Sequence, residues 1–348
     1  MDDFAAAQMG PPTNVETVVL GARDVARYLT IRECIDAIAG TLRAHEAGKS
    51  RGPASSGFTL PDGSFHAKLA AIEDDGRVFV AVKANVNLPG NPVRHGRPTI
   101  QGALILLDGD DGRPLAIMDS IALTSLRTAA VAALAAEHLA LSDSRTITIV
   151  GCGEQGEAQL RAMAAVRPLR AGFAVDVDHA KAAALAARLS IQLGWRLEAS
   201  TDLTAAVAAS DICVTCTTTE SPLLFAWHLH PGLFVAAVGA DNPAKQEIEA
   251  AALSQSRVVV DSLAACAAGG DLHHAIEANL MTEQDVHGEL SAIVADRVPG
   301  RTSRDQVFVF DSTGTALQDV AAAVLVYRRA TDAGAGLRVV LNDRPAGG

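Results

Sequence analysis

Three glycines at fixed spacing follow a short apolar run of the chain. The run 146–150 (TITIV) is β-branched and predicts a buried strand, and it leads into Gly151-x-Gly153-x-x-Gly156 and a helical run. In such a turn the first glycine permits a tight bend, the second lets the backbone approach a pyrophosphate, and the third lets the helix pack closely on the strand. The N–H groups at the helix start then face the phosphates. The pattern predicts a dinucleotide site; a glycine turn without function is the alternative.

An acidic residue lies at the distance that such a site requires. The run 171–175 predicts a second strand, and Asp176 follows it, 20 residues after Gly156 (176 − 156). An acid in this place binds the ribose 2′-hydroxyl in dinucleotide sites. A 2′-phosphate would meet its negative charge, and no arginine follows at once. The sequence therefore favours NAD over NADP, with Glu154 and Gln155 at the helix start among the expected cofactor contacts.

Three further charged residues lie in apolar or alanine-rich surroundings. Lys83 lies inside the strand-like run VFVAVKANV, Arg127 lies near the start of an alanine-rich helical run, and Asp241 follows a strand-like run. Two cations and one carboxylate beside a nicotinamide would suit an amino-acid or imino-acid substrate. The cations would bind its carboxylate, and the acid would exchange a proton with its nitrogen. The alternative for each residue is a solvated charge or a structural ion pair.

Strands and helices alternate in the second half of the chain, which is typical of a parallel, doubly wound sheet. The segments that predict this sheet are 146–150, 154–166, 171–176, 178–193, 196–199, 201–209, 211–217, 233–238, 246–253 and 257–261. The final strand 306–310 leads into an apolar helix, which we assign to the first domain.

The first third of the chain predicts a separate, antiparallel β-rich region. Its expected elements are a mobile tail in the first dozen residues, one helix at 25–46 with Thr30 as a cap inside it, a loop at 50–64 and strands at 65–72, 77–85, 99–107 and 115–119. A long alanine-rich helix at 124–141, with Thr124 as its cap, would bridge the two regions.

Composition excludes several classes of partner. The 348 residues carry a net charge of −11, which argues against nucleic acid or an anionic membrane surface. No stretch approaches eighteen uninterrupted apolar residues and the N-terminus is acidic, so we expect a cytoplasmic protein. The five cysteines lie in apolar runs and are interpreted as structural thiols. His273 and His274 are adjacent and point apart on a helix, so no metal site is expected.

Six blocks of the chain, in the same order, resemble the ornithine cyclodeaminase/μ-crystallin family. They cover nearly the whole length and read VAVKANVNLPGNP, PTIQGALILLDGDDGRPLAIMDS, LTSLRTAAVAALAAEHLA, VGCGEQGEAQL, VGADNPAKQE and VFDSTGTALQDVAAAVLVY. The resemblance implies a homodimer in which a β-rich domain forms the interface and the substrate site, while a Rossmann domain binds NAD(P).

The resemblance also implies roles for individual residues. Lys83 and Arg127 match the family's lysine and arginine that bind the substrate's α-carboxylate, and Asp241 matches its catalytic acid/base. We predict Lys83 and Asp241 as catalytic. Further expected cofactor contacts, near the adenosine ribose or the nicotinamide, are Thr215, Thr217, Val238, Ser312 and Gly314. Helix capping is an alternative for Ser312 and Thr313, and both roles can hold together.

One departure from the family pattern bears on the reaction. Ornithine cyclodeaminases carry a glutamate before a Met-Pro pair, which meets the distal amine of the substrate, whereas this chain has His66 and Lys68 in the stretch SFHAKLAA. A second ammonium would meet imidazole or another cation there. Lys68 is either a substrate contact or an ordinary edge lysine. Arg51 is a further candidate for the carboxylate.

These observations predict a Rossmann-type doubly wound parallel sheet inserted in a discontinuous, β-rich α+β domain for substrate binding and dimerisation. The expected limits are 13–128 plus 315–340 for the substrate domain and 129–314 for the NAD-binding domain. The expected activity is NAD(H)-dependent oxidoreduction of the C–N bond of a small α-amino or cyclic imino acid. The alternatives are a lyase that releases ammonia with recycled NAD, and a nucleotide-dependent binding protein without turnover.

Overall fold

Two β-sheets organise the protein in a computed structural model, which describes residues 16–341. The tail predicted for the first dozen residues lies outside this range. The strands of the first sheet are β1 (Glu16–Leu20), β2 (Ser50–Leu60), β3 (Gly63–Asp74), β4 (Arg77–Asn87), β5 (Ile100–Asp108), β6 (Pro114–Asp119) and β15 (Leu337–Val340). The strands of the second sheet are β7 (Thr146–Val150), β8 (Ala171–Val175), β9 (Arg196–Ser200), β10 (Ile212–Thr215), β11 (Phe234–Ala237), β12 (Arg257–Val260), β13 (Gly288–Glu289) and β14 (Phe308–Asp311).

Helices cover both sheets. In chain order they are α1 (Ala22–Tyr28), α2 (Ile31–Glu46), α3 (Asn91–His95), α4 (Ser120–Leu139), α5 (Glu154–Val166), α6 (His179–Leu193), α7 (Leu203–Ala208), α8 (Ala250–Ser254), α9 (Leu263–Gly269), α10 (Asp271–Glu277), α11 (Leu290–Val294) and α12 (Ala316–Asp332).

The second sheet is parallel throughout, in the order β13-β12-β14-β11-β10-β7-β8-β9. The chain builds outward from β7 to β9 and then returns to place β10 on the other side of β7. This reversal creates a crevice at the carboxyl ends of β7 and β10, where ligands bind in doubly wound sheets. The predicted α/β class with a Rossmann-type sheet is confirmed.

The first sheet is mixed, with the strand order β15-β1-β6-β5-β4-β3-β2. The four strands predicted at 65–119 pair antiparallel with their neighbours, as expected. The sheet also contains β1, which the sequence did not predict and which pairs with β6 in parallel. The predicted loop at 50–64 is wrong, since β2 forms an edge strand antiparallel to β3. Glycine and proline suppress its local strand signal, but an edge strand tolerates both, and a register shift accommodates them between Arg51 and Ala54.

Two helix predictions need correction. The single helix predicted for 25–46 is two helices, α1 and α2, with Thr30 at the N-cap of the second. The alanine-rich helix begins at Ser120 because Asp119 caps it and accepts hydrogen bonds from Ile121 N (3.1 Å) and Ala122 N (2.8 Å). Such a cap contributes about 1 kcal/mol. Thr124 therefore lies in the second turn rather than at the cap.

The alanine-rich helix α4 is the buried centre of the molecule. Its small side chains allow close approach, and it packs on α2 and α5. It is long and apolar enough to cross a membrane by composition alone, but two-thirds of its apolar window (67%) is buried inside the protein. The last helix, α12, packs on α2, β3 and β4. This packing supports the predicted discontinuous first domain, whose limits stay a prediction.

Candidate active site

The glycine-rich turn lies at the crevice between β7 and β10. Gly151 has φ +98°, in the region that favours glycine, and a Cβ there would lie 2.9 Å from Cys216 O. A Cβ at Gly156 would collide with Gly151 O, so only glycine lets α5 pack this closely. At Gly153 a Cβ would meet nothing within 4 Å, so its backbone is open to a ligand. Glu154 is exposed beside it, and Gln155 Nε2 donates to Ser125 O at 3.4 Å. This arrangement fits a pyrophosphate.

Asp176 closes the other side of the turn. Its Oδ2 accepts a hydrogen bond from Cys152 N at 2.7 Å, and its Oδ1 accepts one from Asp178 N at 2.9 Å. The carboxylate thus binds the glycine-rich turn directly and lies at the carboxyl end of β8. Its carboxylate therefore lies at the position where the sequence predicts contact with the ribose 2′-hydroxyl of the cofactor.

Glu247 is a buried residue that the sequence did not reveal. Its carboxylate accepts hydrogen bonds from Thr217 N (2.6 Å), Thr215 Oγ1 (2.7 Å), Thr217 Oγ1 (2.7 Å) and Gly239 N (2.8 Å). Burial raises its pKa, and these hydrogen bonds oppose the rise. Glu247 therefore fixes two loops, one carrying Thr215 and Thr217 and one leading from Val238 to Asp241. Both threonine hydroxyls are occupied by this carboxylate.

A cavity of about 620 Å³ lies between β2 and β3 on one side and the carboxyl ends of the parallel strands on the other. Lys68, His66 and Asp241 line it, together with the turn at 313–314 and small residues of α9. Asp241 is the single carboxylate among the described residues of its lining. His66 contacts Ser64 Oγ at 2.9 Å. The cavity therefore offers a cation and a carboxylate to one small ligand.

Lys68 is fixed by two backbone carbonyls. Its Nζ donates to Gly314 O at 2.6 Å and to Thr313 O at 3.1 Å. Burial lowers its pKa, and the positive charge of Arg127 lowers it further, against the carboxylates of Asp319 and other acids. Lys68 is on β3 beside β4 and β2, so it is not an edge lysine.

Lys83 and Arg127 meet at a second carboxylate that the sequence did not reveal. Asp319, on α12, lies 2.8 Å from Lys83 Nζ and 3.0 Å from Arg127 Nε, and all three side chains are at most 5% exposed. Burial would raise the pKa of Asp319, but the two cations hold it below its usual range. Burial lowers the pKa of Lys83 to about 7, although Asp319 opposes this. Neither cation is part of the cavity lining.

The turn at 312–314 separates Arg127 from the cavity. Gly314 has φ +78°, and a Cβ there would press on the guanidinium, so a glycine is required. Arg127 Nη1 donates to Gln318 Oε1 at 2.8 Å, and Ser312 Oγ donates to Asp261 Oδ2 at 2.8 Å. The structure thus brings Lys68, Lys83 and Arg127 into one cluster.

Asp241 stands at the cavity with Lys245 beside it. Lys245 Nζ lies 2.8 Å from Asp241 Oδ1 and 3.3 Å from Gly239 O. Desolvation by the surrounding protein would raise the pKa of Asp241, but Lys245, with a smaller contribution from Lys68, holds it below its usual value. Asp241 is therefore a carboxylate at neutral pH, able to accept a proton or hydrogen bond. His274 Nε2 contacts Lys245 O at 2.8 Å.

Arg51 is not brought to this cavity. Its guanidinium donates to Gly48 O (3.1 Å) and Ser50 O (2.8 Å), and it lines a separate cavity of about 180 Å³. Arg51 lies at the start of β2, before the register shift between Arg51 and Ala54, whereas the lining of the large cavity begins at Pro53. Its predicted contact with the substrate has no support in this chain's geometry.

The parallel sheet with its glycine-rich turn, joined to a mixed sheet that carries a charged cavity, defines a two-part Rossmann-type α/β protein. The chain belongs to the ornithine cyclodeaminase/mu-crystallin family, whose sequence model matches residues 15–334. It is 31% identical to the alanine dehydrogenase of Archaeoglobus fulgidus, over 93% of this chain and 98% of the relative. It is 34% identical to the iminosuccinate reductase of Paracoccus denitrificans, over 75% of this chain and 80% of the relative.

Solved structures of the same architecture include two with a bound nicotinamide cofactor. An archaeal alanine dehydrogenase dimer with bound NAD superposes with a TM-score of 0.89 at 30% identity, over 94% of this chain and all of that one (100%). The Δ1-pyrroline-2-carboxylate reductase of Thermococcus litoralis, with NADH and L-proline, gives 0.88 at 26% identity, over 93% and 100%. A lysine cyclodeaminase gives 0.82 at 29% identity, over 96% and 98%.

Proposed function

We propose that the protein is an NAD(H)-dependent oxidoreductase that acts on the C–N bond of a small α-amino or cyclic imino acid. The observation that carries the proposal is the presence of Lys68 and Asp241 on the wall of one cavity at the carboxyl ends of the parallel strands. The same edge of the sheet carries the glycine-rich turn that fits a dinucleotide. The cofactors of the structural relatives support NAD or NADH. Gly151, Gly153 and Gly156 would hold its pyrophosphate, and Asp176 its adenosine ribose.

A positive cluster binds the substrate's carboxylate in this proposal. Asp319 pairs with Lys83 and Arg127, and the charges of Asp261 and Asp241 also act on Lys68 from beyond ion-pair distance. Lys68 forms no ion pair with a carboxylate of the described residues, so its protonated ammonium can pair with an anion in the cavity. Lys68 makes the direct contact, since it is the cation on the cavity wall. Lys83 and Arg127 are paired with Asp319 outside the cavity lining, and Arg127 lies behind Gly314. Fixing the carboxylate places the neighbouring C2 for reaction.

Asp241 handles the proton on the substrate's nitrogen. NADH held at the glycine-rich turn would supply the hydride that converts the C=N bond of a protonated ketimine to the C–N bond of the amino acid, leaving NAD⁺. Because its pKa is lowered, Asp241 accepts a hydrogen bond from the protonated imine and favours that more electrophilic form. In the oxidative direction the same carboxylate accepts the amine proton.

The test is a set of steady-state assays that follow NADH oxidation with pyrroline-2-carboxylate, piperideine-2-carboxylate, and pyruvate with ammonia or methylamine. We expect turnover with at least one of them and its loss in Lys68→Met and Asp241→Asn. Tight binding of NADH without its oxidation in the presence of any of these substrates would contradict the proposal. Unchanged activity in Asp241→Asn would remove the assigned proton role.

The likeness to lysine cyclodeaminase makes a lyase the second candidate. It predicts ammonia release from ornithine or lysine with no net change in NADH absorbance. A distal ammonium in this cavity would face Lys68 and His66 instead of a second carboxylate, which disfavours a diamino acid. We also propose a homodimer, supported by the dimeric archaeal relative and by the exposed edge strand β2. A cytoplasmic location stays a prediction.

A further inference from the structure

Asp261 follows β12 and binds the turn that follows the neighbouring strand β14. Its Oδ2 accepts hydrogen bonds from Gly314 N at 2.7 Å and from Ser312 Oγ at 2.8 Å. Thr313 N donates to its Oδ1 at 3.4 Å. One carboxylate thus holds every residue of the turn 312–314, through both of its oxygens. Hydrogen bonds to a charged acceptor are stronger than those between neutral groups. Asp261 therefore holds the turn 312–314 in one position.

The same turn fixes Lys68. The carbonyl oxygens of Gly314 and Thr313 accept hydrogen bonds from Lys68 Nζ at 2.6 and 3.1 Å. The N–H groups of the same two residues donate to Asp261. Displacing the turn from Asp261 therefore moves the two acceptors that place the ammonium. Asp261 is half-buried and is not part of the cavity lining. Its effect on the cavity is indirect.

A second connection leads to Arg127 through Gln318. The side-chain amide of Gln318 donates to Asp261 Oδ2 at 3.2 Å and accepts from Arg127 Nη1 at 2.8 Å. Because its N–H₂ group faces Asp261, its oxygen must face the guanidinium. Gly314 also packs against Arg127 without room for a Cβ. Asp261 therefore determines the surroundings of both cations.

We infer that Asp261 is a positioning residue that places Lys68 and Arg127 for the carboxylate of the substrate. The inference rests on the proposed function, in which this positive cluster binds that group. Asp261→Asn tests the position of the 312–314 turn without a large change to the fold. An amide has the size of the carboxylate but offers one acceptor oxygen in place of two. Its N–H₂ group would face a backbone N–H of the turn and loosen it.

The chain offers a matched control at the opposite end of the same sheet. Asp211 Oδ2 accepts hydrogen bonds from Arg145 N at 2.7 Å and from Thr146 N at 3.0 Å. Asp211→Asn removes the same kind of carboxylate–amide contact away from the cavity. Gln318→Met cuts the Arg127 branch alone and serves as a second variant.

Three measurements are made on the full-length protein. Calorimetry gives the affinity for NADH, and then the affinity of the NADH complex for pyrrole-2-carboxylate, a planar analogue of a cyclic imino acid that cannot be reduced in the assay. Hydrogen exchange gives the protection of the amides of residues 312–318. Exchange requires neither turnover nor the probe, so it tests the placement of the turn by itself.

We expect Asp261→Asn to weaken pyrrole-2-carboxylate binding by about tenfold or more, since a charge-assisted hydrogen bond corresponds to at least this factor. NADH affinity should stay within about threefold, because the adenosine half is bound elsewhere. Exchange at 312–318 should accelerate. Asp211→Asn should change none of these values, and Gln318→Met should weaken the probe by a smaller factor.

A folded Asp261→Asn protein with unchanged exchange at 312–318, or with unchanged probe affinity, would overturn the inference. If Asp261→Asn does not fold, Gln318→Met decides: weaker probe binding supports the placement of Arg127, and equal binding contradicts it. If the wild-type protein binds NADH but neither the probe nor any imino acid, the proposed function fails. The exchange data then still decide whether Asp261 places the turn.

Discussion

Lys68 lies directly opposite Lys83 on the neighbouring antiparallel strands β3 and β4. Two ammonium groups on facing positions of one sheet repel each other, and burial increases the repulsion. The structure compensates them separately, Lys68 by two carbonyls and Lys83 by Asp319. The remaining positive charge is available to an anion. A bound carboxylate would relieve the repulsion, and this relief contributes to its affinity.

Replacing Asp319 by asparagine should destabilise the protein. The substitution leaves two buried cations without their counter-charge, and breaking a buried ion pair in this way costs about 3–5 kcal/mol. Urea denaturation would measure the free energy of unfolding. Asp62→Asn is the control, because it breaks the exposed pair with Arg94, and should leave unfolding unchanged. Equal effects of the two substitutions would contradict the assigned role of Asp319.

Binding of a carboxylate should weaken as the pH rises through about 7. The pKa of Lys83 is lowered to about 7 by burial, so its ammonium is charged below this pH and neutral above it. An anion favours the charged form. The pKa of Lys68 is also lowered, and the permanent charges of Arg127 and Asp319 face both lysines. Pyrrole-2-carboxylate is a suitable probe, because its carboxylate stays ionised across this range.

Calorimetry between about pH 6 and about pH 9 would measure this dependence, with Lys83→Met as the comparison. The variant should bind more weakly at low pH and lose most of the pH dependence. An equal pH dependence in Lys83→Met would assign the titration to another group, with Lys68 the next to test. Proton uptake on binding, measured in two buffers of different ionisation enthalpy, should also disappear in the variant.

Removing Lys245 should shift the acid limb of the activity profile. Lys245 and Lys68 both hold the pKa of Asp241 below its usual value, and Asp241 acts as a carboxylate in the proposed reaction. Activity is then lost as the pH falls through the pKa of Asp241. Lys245→Met should raise this pKa and move the loss of activity to higher pH.

The control for Lys245→Met is Lys49→Met, which breaks an exposed pair with Glu73. The measured quantity is kcat/KM against pH for the substrate found in the assays. An acid limb that does not move in Lys245→Met would show that Asp241 is not the group titrating there.

Local signals explain which parts of the fold could be predicted. The strand 146–150 and the helix 154–166 were predicted with the bounds that the structure has, because β-branched residues, glycines and the helix start all act within a few residues. The strand β2 could not be predicted in this way. Its residues have weak strand propensity, and pairing with β3, which follows it, makes it a strand.

The missed carboxylates have a different cause. Asp319, Glu247 and Asp261 each bind partners from distant parts of the chain, such as Lys83, 236 residues before Asp319. Periodicity within one sequence carries no information on such contacts. Asp319 nevertheless lies in the apolar helix ALQDVAAAVLVY, the same kind of signal that singled out Lys83. A charge in an apolar helix predicts a buried partner, and here it has two.

Asp176 should determine the choice between NADH and NADPH. It lies at the carboxyl end of β8 and binds the glycine-rich turn through Cys152 N, so its charge is held beside the predicted ribose. A 2′-phosphate there would meet a like charge. Asp176→Ala should therefore reduce the preference for NADH over NADPH by about tenfold, since a change of 1.4 kcal/mol corresponds to this factor. NADH and NADPH affinities can be measured by fluorescence without any substrate. Asp178→Ala, which removes a helix cap two residues away, is the control for a local loss of structure. An unchanged ratio of the two affinities in Asp176→Ala would contradict the ribose contact.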